Sequence, residues 1–450
     1  MPLDLSHRTR LLFQSLGLNP EEVRDRMEKQ TLWIVVEPEW AIRRPGQVLI
    51  FMLLNLLLRW AEFLPRTRVS IPKVELILQN PLLQGNTLRS ALKGLAESLG
   101  QGDRASFIPS PPAKTPDLTM IIGTPPPEGS RSRRRLYVAG AGWRGCVARS
   151  PLAETLPTQD PNPIGPCLSA VLATSQLFNL LLHPYLKGRP DFTLAERVLF
   201  NAFTYDRVER PNPALPHAGA LDLDLVLVGA GGLGSVALFV LSLVEDLRGS
   251  ITIIEGDRLE AHNLNRLLTA TLKDVGPQGS GANKAALAAE YLRRTTDLRT
   301  EVRPWAYQRA QHKEGESRGE EVLAILTVDD TEARLSVAQD FKEVLVGGYA
   351  RFSALVGWAS RVSGCLGCWE RAGLLGSALQ ATPSISHVTA LPGVLLAAEV
   401  LKRRLFRGSQ LLNAERNLFI TVTGLPPGPG GLLQGPSIAD CPLCHGNRPF

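Results

Sequence analysis

Gly229, Gly231, Gly232 and Gly234 interrupt an apolar run, LVLVGAGGLGSVALFVL, that begins at Leu225. An apolar strand that turns on glycines into an apolar helix offers unshielded backbone N–H groups at the helix start, which suit a phosphate. Nicotinamide enzymes, flavoenzymes and adenylating enzymes all use such a loop. The residues that follow narrow the chemistry. Glu255 closes the next apolar stretch, SITIIEGD, where a carboxylate can accept hydrogen bonds from ribose hydroxyls. Asn263 and Arg266 follow in EGDRLEAHNLNR, Lys284 opens a helical stretch, and Asp329 ends VLAILTVDD. Hydride transfer needs no such set of cations and a second acid around the phosphates. Attack of a carboxylate on an α-phosphate does: cations neutralise charge developing on pyrophosphate, and an Asp holds Mg²⁺. Asp330, beside Asp329, reads as a helix cap.

Six cysteines are too few for a disulfide scaffold in 450 residues. Cys365-Leu-Gly-Cys368 and Cys441-Pro-Leu-Cys444 can close a tetrahedral four-cysteine zinc site with no open position for catalysis. A redox-active pair is the alternative, and it leaves the second pair unexplained. His445 reads as a bystander. Cys146 and Cys167 lie in apolar or glycine-rich contexts and read as core.

Seven ordered pieces within 221–444 resemble the ThiF/MoeB/HesA superfamily, which includes the ubiquitin-activating enzymes: VGAGGLGS, EGDRLEAHNLNR, GANK, TVDDTEAR, CLGCW, LPGVLLAAEVLK and CPLC. The resemblance implies that Gly229, Gly231, Gly232 and Gly234 cradle phosphate and that Glu255, where the family usually has Asp, holds the ribose. It implies that Asn263, Arg266 and Lys284 grip the triphosphate of ATP, that Asp329 binds Mg²⁺, and that the cysteine pairs hold structural zinc. Many relatives carry a nucleophilic cysteine on the segment before the late helix; here SALQATPSISHVTALPG contains none. It offers Thr382, Ser384, Ser386 and Thr389, with His387 as a candidate base. Either the enzyme stops at the acyl-adenylate, or a hydroxyl takes the acyl group, Ser386 being the first candidate.

These residues need an α/β scaffold. Alternating strand and helix patterns predict a Rossmann-like adenylation domain over 221–450, a Pro-rich linker over 201–220 and an N-terminal α/β domain over 1–200. In the first half, VELILQN, LTMIIG and RLYVAGAGWRGCV read as strands, and Pro20 to Gln30, LRSALKGLAESL and LSAVLATSQLFNLLL as helices. No glycine loop equips this half for a nucleotide. The architecture suggests an inactive adenylation-like copy fused in cis, able to supply an arginine to the ATP site; an unrelated substrate-binding domain is the alternative. VLIFMLLNLLLRWAEFL, from Val48, is shorter than the ~20 apolar residues a membrane span needs, and predicts a buried helix.

A net charge of +6 is scattered apart from RSRRR and KRR, without the basic stripe and aromatic platforms of a nucleic-acid binder. Hydrophobic content of 44% fits a globular protein, and the absence of a signal-peptide pattern leads to the expectation of a cytoplasmic one. The expected function is ATP-dependent adenylation of the C-terminal carboxylate of a ubiquitin-like protein, with a conjugating enzyme as a further partner. Sulfur-carrier activation of the thiamine or molybdopterin type is the first alternative. A catalytically dead scaffold is the second, and a nicotinamide oxidoreductase is the weakest.

Overall fold

The computed structural model describes the chain except residues 1–3, 110–115, 124–133, 153–159, 188–193, 208–212, 216–220, 278, 308–321, 351, 361–363, 375–382, 407–411, 414–415, 423–431, 439–440, 442–443 and 445–450. The first half begins with α1 (His7–Ser15), α2 (Pro20–Lys29), β1 (Thr31–Val36), α3 (Pro38–Ala41) and α4 (Arg44–Leu58). It continues with β2 (Arg66–Ser70), α5 (Leu88–Ser98), β3 (Ala105–Ile108), β4 (Leu118–Ile122), β5 (Arg134–Ala141), β6 (Arg144–Ala148), α6 (Ile164–Leu186) and β7 (Arg197–Asn201). The second half opens with β8 (Leu221–Val228), α7 (Gly232–Leu241), β9 (Leu247–Ile254), β10 (Arg258–Glu260), β11 (Ser280–Asn283), α8 (Lys284–Arg293) and β12 (Asp297–Arg303). It ends with β13 (Leu323–Leu326), α9 (Thr331–Asp340), β14 (Glu343–Ala350), β15 (Ser353–Ser360), α10 (Leu366–Arg371), α11 (Ser386–Leu405), β16 (Leu418–Val422) and β17 (Leu432–Leu433).

The two large sheets repeat one plan. The first has the order β3-β2-β1-β4-β5-β6-β7 and the second β12-β9-β8-β13-β14-β15-β16, with β17 added at its edge. In each, the first five strands of that order are parallel and the last two turn antiparallel. The crossovers correspond as well: α4 and α7 leave the central strand, α5 and α8 follow the next, and α6 and α11 precede β7 and β16. The halves differ at the end of that central strand. β8 runs into glycines, whereas β1 runs into Glu37-Pro38 and the short α3.

The long helices form the layer between the sheets. α6 packs on α4, β5 and β6, and α11 packs on α7, α6 and β14. One apolar cluster therefore runs through both halves, from Leu12 and Phe51 to Phe239 and Leu396. Burial on all sides explains why α4 is apolar on every face from Val48 to Leu58 except at Asn55. α6 is long and apolar enough to cross a bilayer, but its side chains are buried in this packing. A buried polar clasp also joins α11 to the end of the first sheet. Glu399 pairs with Lys402 and accepts the Tyr205 hydroxyl at 2.8 Å, while Lys402 Nζ donates to Ala202 O at 3.2 Å.

Several sequence expectations need correction. VELILQN is extended but forms no strand, because its backbone is held by the side chain of Gln47 and one isolated bridge, Glu75 to Thr87. Strands β1, β2, β3 and β7 were not anticipated. The late helix starts at Ser386, eight residues before the apolar pattern at Val394 suggests, and it tolerates Pro392 inside.

α6 approaches the β5–β6 hairpin closely enough that a Cβ on Gly165 would lie 2.6 Å from Arg144 O and 2.7 Å from Ala141 O. Gly165→Ala is expected to destabilise the chain by about 1–3 kcal/mol in urea unfolding, since both obstacles are backbone. An unchanged midpoint would mean that the helix can stand off the hairpin.

Candidate functional site

The C-terminal ends of β9, β8 and β13 lie side by side because the three strands are parallel neighbours. Gly229, at the end of β8, has φ +100°, and Gly234 lies so near that a Cβ there would be 2.1 Å from Gly229 O. Both positions need glycine to turn the chain from strand to helix. A Cβ on Gly231 would point into open space, while one on Gly232 would meet Cγ and Cδ of Arg266 at 2.8 Å. The start of α7 thus presents free room for a phosphate on one side and the Arg266 stem on the other.

Glu255, one residue beyond β9, accepts from Ala230 N at 3.1 Å and from Asp257 N at 2.9 Å. Each carboxylate oxygen keeps capacity for a second donor, so the residue is oriented for a ribose diol. Lys284, the first residue of α8, is buried with Nζ 2.7 Å from Asp257 Oδ2. Asn283 caps that helix and donates to Glu255 O at 2.8 Å, tying the lysine to Glu255. Neither Asp257 nor Asn283 was anticipated. Asn263 is buried and its Oδ1 accepts from Glu260 N at 3.0 Å, so its oxygen belongs to a local turn over 261–265. Only its Nδ2 donor remains for a phosphate.

Asp329 is exposed beyond β13, and Asp330 caps α9 by accepting from Ala333 N at 2.7 Å, as the sequence suggests. Burial pulls the Arg266 pKa down, as does the positive charge of Arg8; Tyr349, Asp329 and Glu260 oppose that fall. Arg8, on α1 of the first half, lies near enough for its charge to act on Arg266. Arg10, the other cation of α1, is engaged by Glu21 and Glu62. The sequence leaves open which arginine of the first half could serve the site.

The four cysteine sulfurs lie within 4.8 Å of one another. Cys365 to Cys368 is 3.9 Å, Cys365 to Cys441 3.6 Å, and Cys368 to Cys444 3.5 Å. Tetrahedral zinc at ~2.3 Å from each sulfur has edges of ~3.8 Å, so the set fits the ion. Burial pushes the Cys365 and Cys368 thiols up, and a bound cation would reverse that preference. Buried Trp369 on α10 supports the knuckle, and the next residue, Glu370, pairs with Arg334 of α9 at 2.9 Å. Arg334 also donates to Val328 O at 3.0 Å, so the knuckle braces the chain next to Asp329. His445 and Thr382 lie outside the described residues.

The hydroxyl acceptor fares differently. Ser386 is fully buried and donates to Leu56 O at 2.8 Å. His387 is buried between Trp60 and Phe178, its two ring nitrogens have no hydrogen-bond partner among the described residues, and burial lowers its pKa to about 3. Neither residue can serve as exposed nucleophile or base here, because helix α11 begins where the sequence suggested a loop. Ser384 and Thr389 are equally buried, Thr389 donating to Ser386 O at 3.0 Å. Cys146 and Cys167 are buried in the core as expected.

Two outcomes follow. Freshly purified protein should contain one zinc per chain, and Cys365→Ser should lower stability by at least about 2 kcal/mol, since a four-ligand site contributes to folding directly; metal analysis without zinc would refute this. His387 stays neutral in the fold, with a pKa near 3 against 6.5 for the unfolded group, so its contribution is complete above pH 6.5 and is lost as pH falls toward 3. Between pH 7 and 5 wild type should lose roughly 2 kcal/mol more than His387→Phe in urea unfolding. Equal losses would show that His387 is hydrated.

Residues 219–421 match the ThiF family and residues 31–188 the BilD N-terminal domain. No curated protein matches the chain by sequence. Among solved structures, E. coli MccB with selenomethionine MccA is 17% identical, covering 50% of this chain and 67% of that chain at a TM-score of 0.38. E. coli MccB with MccA-N7isoASN is 14% identical, covering 69% and 98% at a TM-score of 0.39. PaaA is 17% identical, covering 44% and 60% at a TM-score of 0.34. Likenesses of this size bear on neither substrate nor mechanism. The family matches do bear on class: residues 219–421 are a ThiF-family, E1-like adenylation domain of the adenylyltransferase-like kind, and residues 31–188 before it are a BilD N-terminal domain.

Proposed function

We propose that the chain adenylates the C-terminal carboxylate of a ubiquitin-like protein. The observation that carries this reading is the Arg266 stem lying over Gly232 at the start of α7, with Glu255 bonded to the same loop. In this reading the glycine loop and the N-terminus of α7 hold the phosphates, Glu255 takes the ribose hydroxyls, and Asn263 donates through Nδ2. A carboxylate oxygen of the carrier attacks the α-phosphorus, and the bond to the leaving pyrophosphate breaks. Arg266, Lys284 and Arg8 stabilise the charge that moves onto pyrophosphate. Asp329 is the residue to hold Mg²⁺, which would supply further charge neutralisation when bound.

The first half acts in this reading as a degenerate copy of the adenylation fold. The shared strand order supports that, and so does the replacement of the glycine turn by Glu37-Pro38. The adenylate would pass directly to a downstream acceptor such as a conjugating enzyme. That inference is supported by the burial of Ser384, Ser386 and His387 and by the absence of cysteine between Gly376 and Gly393.

ATP–pyrophosphate exchange with ubiquitin-like and sulfur-carrier candidates tests the reading. Asp329→Ala should lower exchange on the order of 100-fold with unchanged unfolding, because the side chain is exposed. Unchanged exchange in the folded variant would remove the role of Asp329. Exchange with sulfur carriers alone would select the biosynthetic alternative, and no exchange with any carrier would favour a scaffold.

A further inference from the structure

The loop that carries Arg266 is bonded to the first half in a way the chemistry above does not require. Residues 261–265 form a 3-10 turn whose last carbonyls have no intrahelical donor. Arg59, just past the end of α4, donates from Nη1 to Leu264 O at 2.6 Å and from Nη2 to Ala270 O at 2.9 Å. Asn55, one turn earlier, donates to Leu268 O at 3.1 Å and accepts from Arg59 Nε at 3.0 Å. Both side chains are buried. The carbonyls they hold bracket Arg266 on both sides along the chain. A planar guanidinium that engages two carbonyls at once fixes their separation and direction, which an apolar contact would not. Leu264, Leu267 and Ala270 pack in a small cluster of their own, and Leu268 is the residue of 264–270 that enters the main core, so the carbonyl bonds add direction to a loop that the main core holds at one side chain.

We infer that Arg59, braced by Asn55, is a positioning residue that sets the Arg266 loop against the nucleotide glycines. Stability alone gives little reason for a cation there, since buried ionic groups are often replaced by apolar ones at no loss. The consequence for nucleotide binding rests on the adenylation reading; the hold on the loop does not.

Two measurements on the full chain test it: Mg-ATP titration and amide hydrogen exchange over 261–271. Arg59→Met should weaken ATP binding about tenfold, and its effect should largely vanish in an Arg266→Ala background, because both changes remove one function. Arg59→Lys should recover part of the loss, and amides over 264–270 should exchange faster in Arg59→Met. Losses that multiply in the double variant, or a folded Arg59→Met with wild-type affinity, would overturn the inference. Should Arg59→Met fail to fold, Asn55→Leu carries the same test with a smaller expected loss, roughly threefold, and no change in affinity or exchange there would refute it. If wild type itself binds no ATP, the adenylation reading falls. Exchange over 264–270 then decides the hold alone, and unchanged protection overturns it.

Discussion

One guanidinium, that of Arg59, stands where the end of α4 meets the nucleotide half, held by backbone oxygens and an amide oxygen. Burial pulls its pKa down to about 9, which leaves it charged at neutral pH. A buried cation cannot give up its oxygen partners without several kcal/mol of uncompensated desolvation. The end of α4 and the 264–270 loop are therefore locked together. Three residues on, Glu62 accepts from Ser6 at 2.7 Å and pairs with Arg10 at 2.6 Å, which fixes α1 and with it Arg8. Ala61, at φ +52°, is the left-handed residue that turns the chain between these two anchors. One helix end thus orders both arginine-bearing segments.

The same principle runs through the rest of the site. Few of its charged groups stand alone: Asp257 answers Lys284, Glu255 is oriented by two backbone N–H groups, and Arg334 reaches from α9 to Glu370 beside the four-cysteine cluster. Orientation set before a ligand arrives is what electrostatic catalysis needs, because no reorganisation is then required during the reaction.

What the sequence made legible were the features whose signal is local. Glycine spacing, an acid at a strand end and two Cys-x-x-Cys pairs each carry their chemistry within a few residues. The misses are non-local. Val74, Leu76 and Leu78 alternate as a strand would, yet between them Glu75 O and Ile77 N are taken by the side chain of Gln47, which no window around them contains. Thr31–Val36 is a continuous apolar run, ambiguous between helix and strand until its parallel neighbours β2 and β4 are known. Ser386 and His387 look like a polar loop because the residues that bury them, Leu56, Trp60 and Phe178, belong to the other half of the chain. Arg59 looks like an interruption in an apolar helix because the carbonyls it holds lie 205 and 211 residues away.

The repeated sheet plan has a further consequence. Two halves that share a strand order, joined by a single chain, make assembly of the site a unimolecular event. The strut from α4 and the arginine of α1 reach the nucleotide loop at the effective concentration of a tether, so dilution cannot separate them from it. Each chain keeps one glycine turn and one strut, and a substitution in either half has no second copy of its role to mask it.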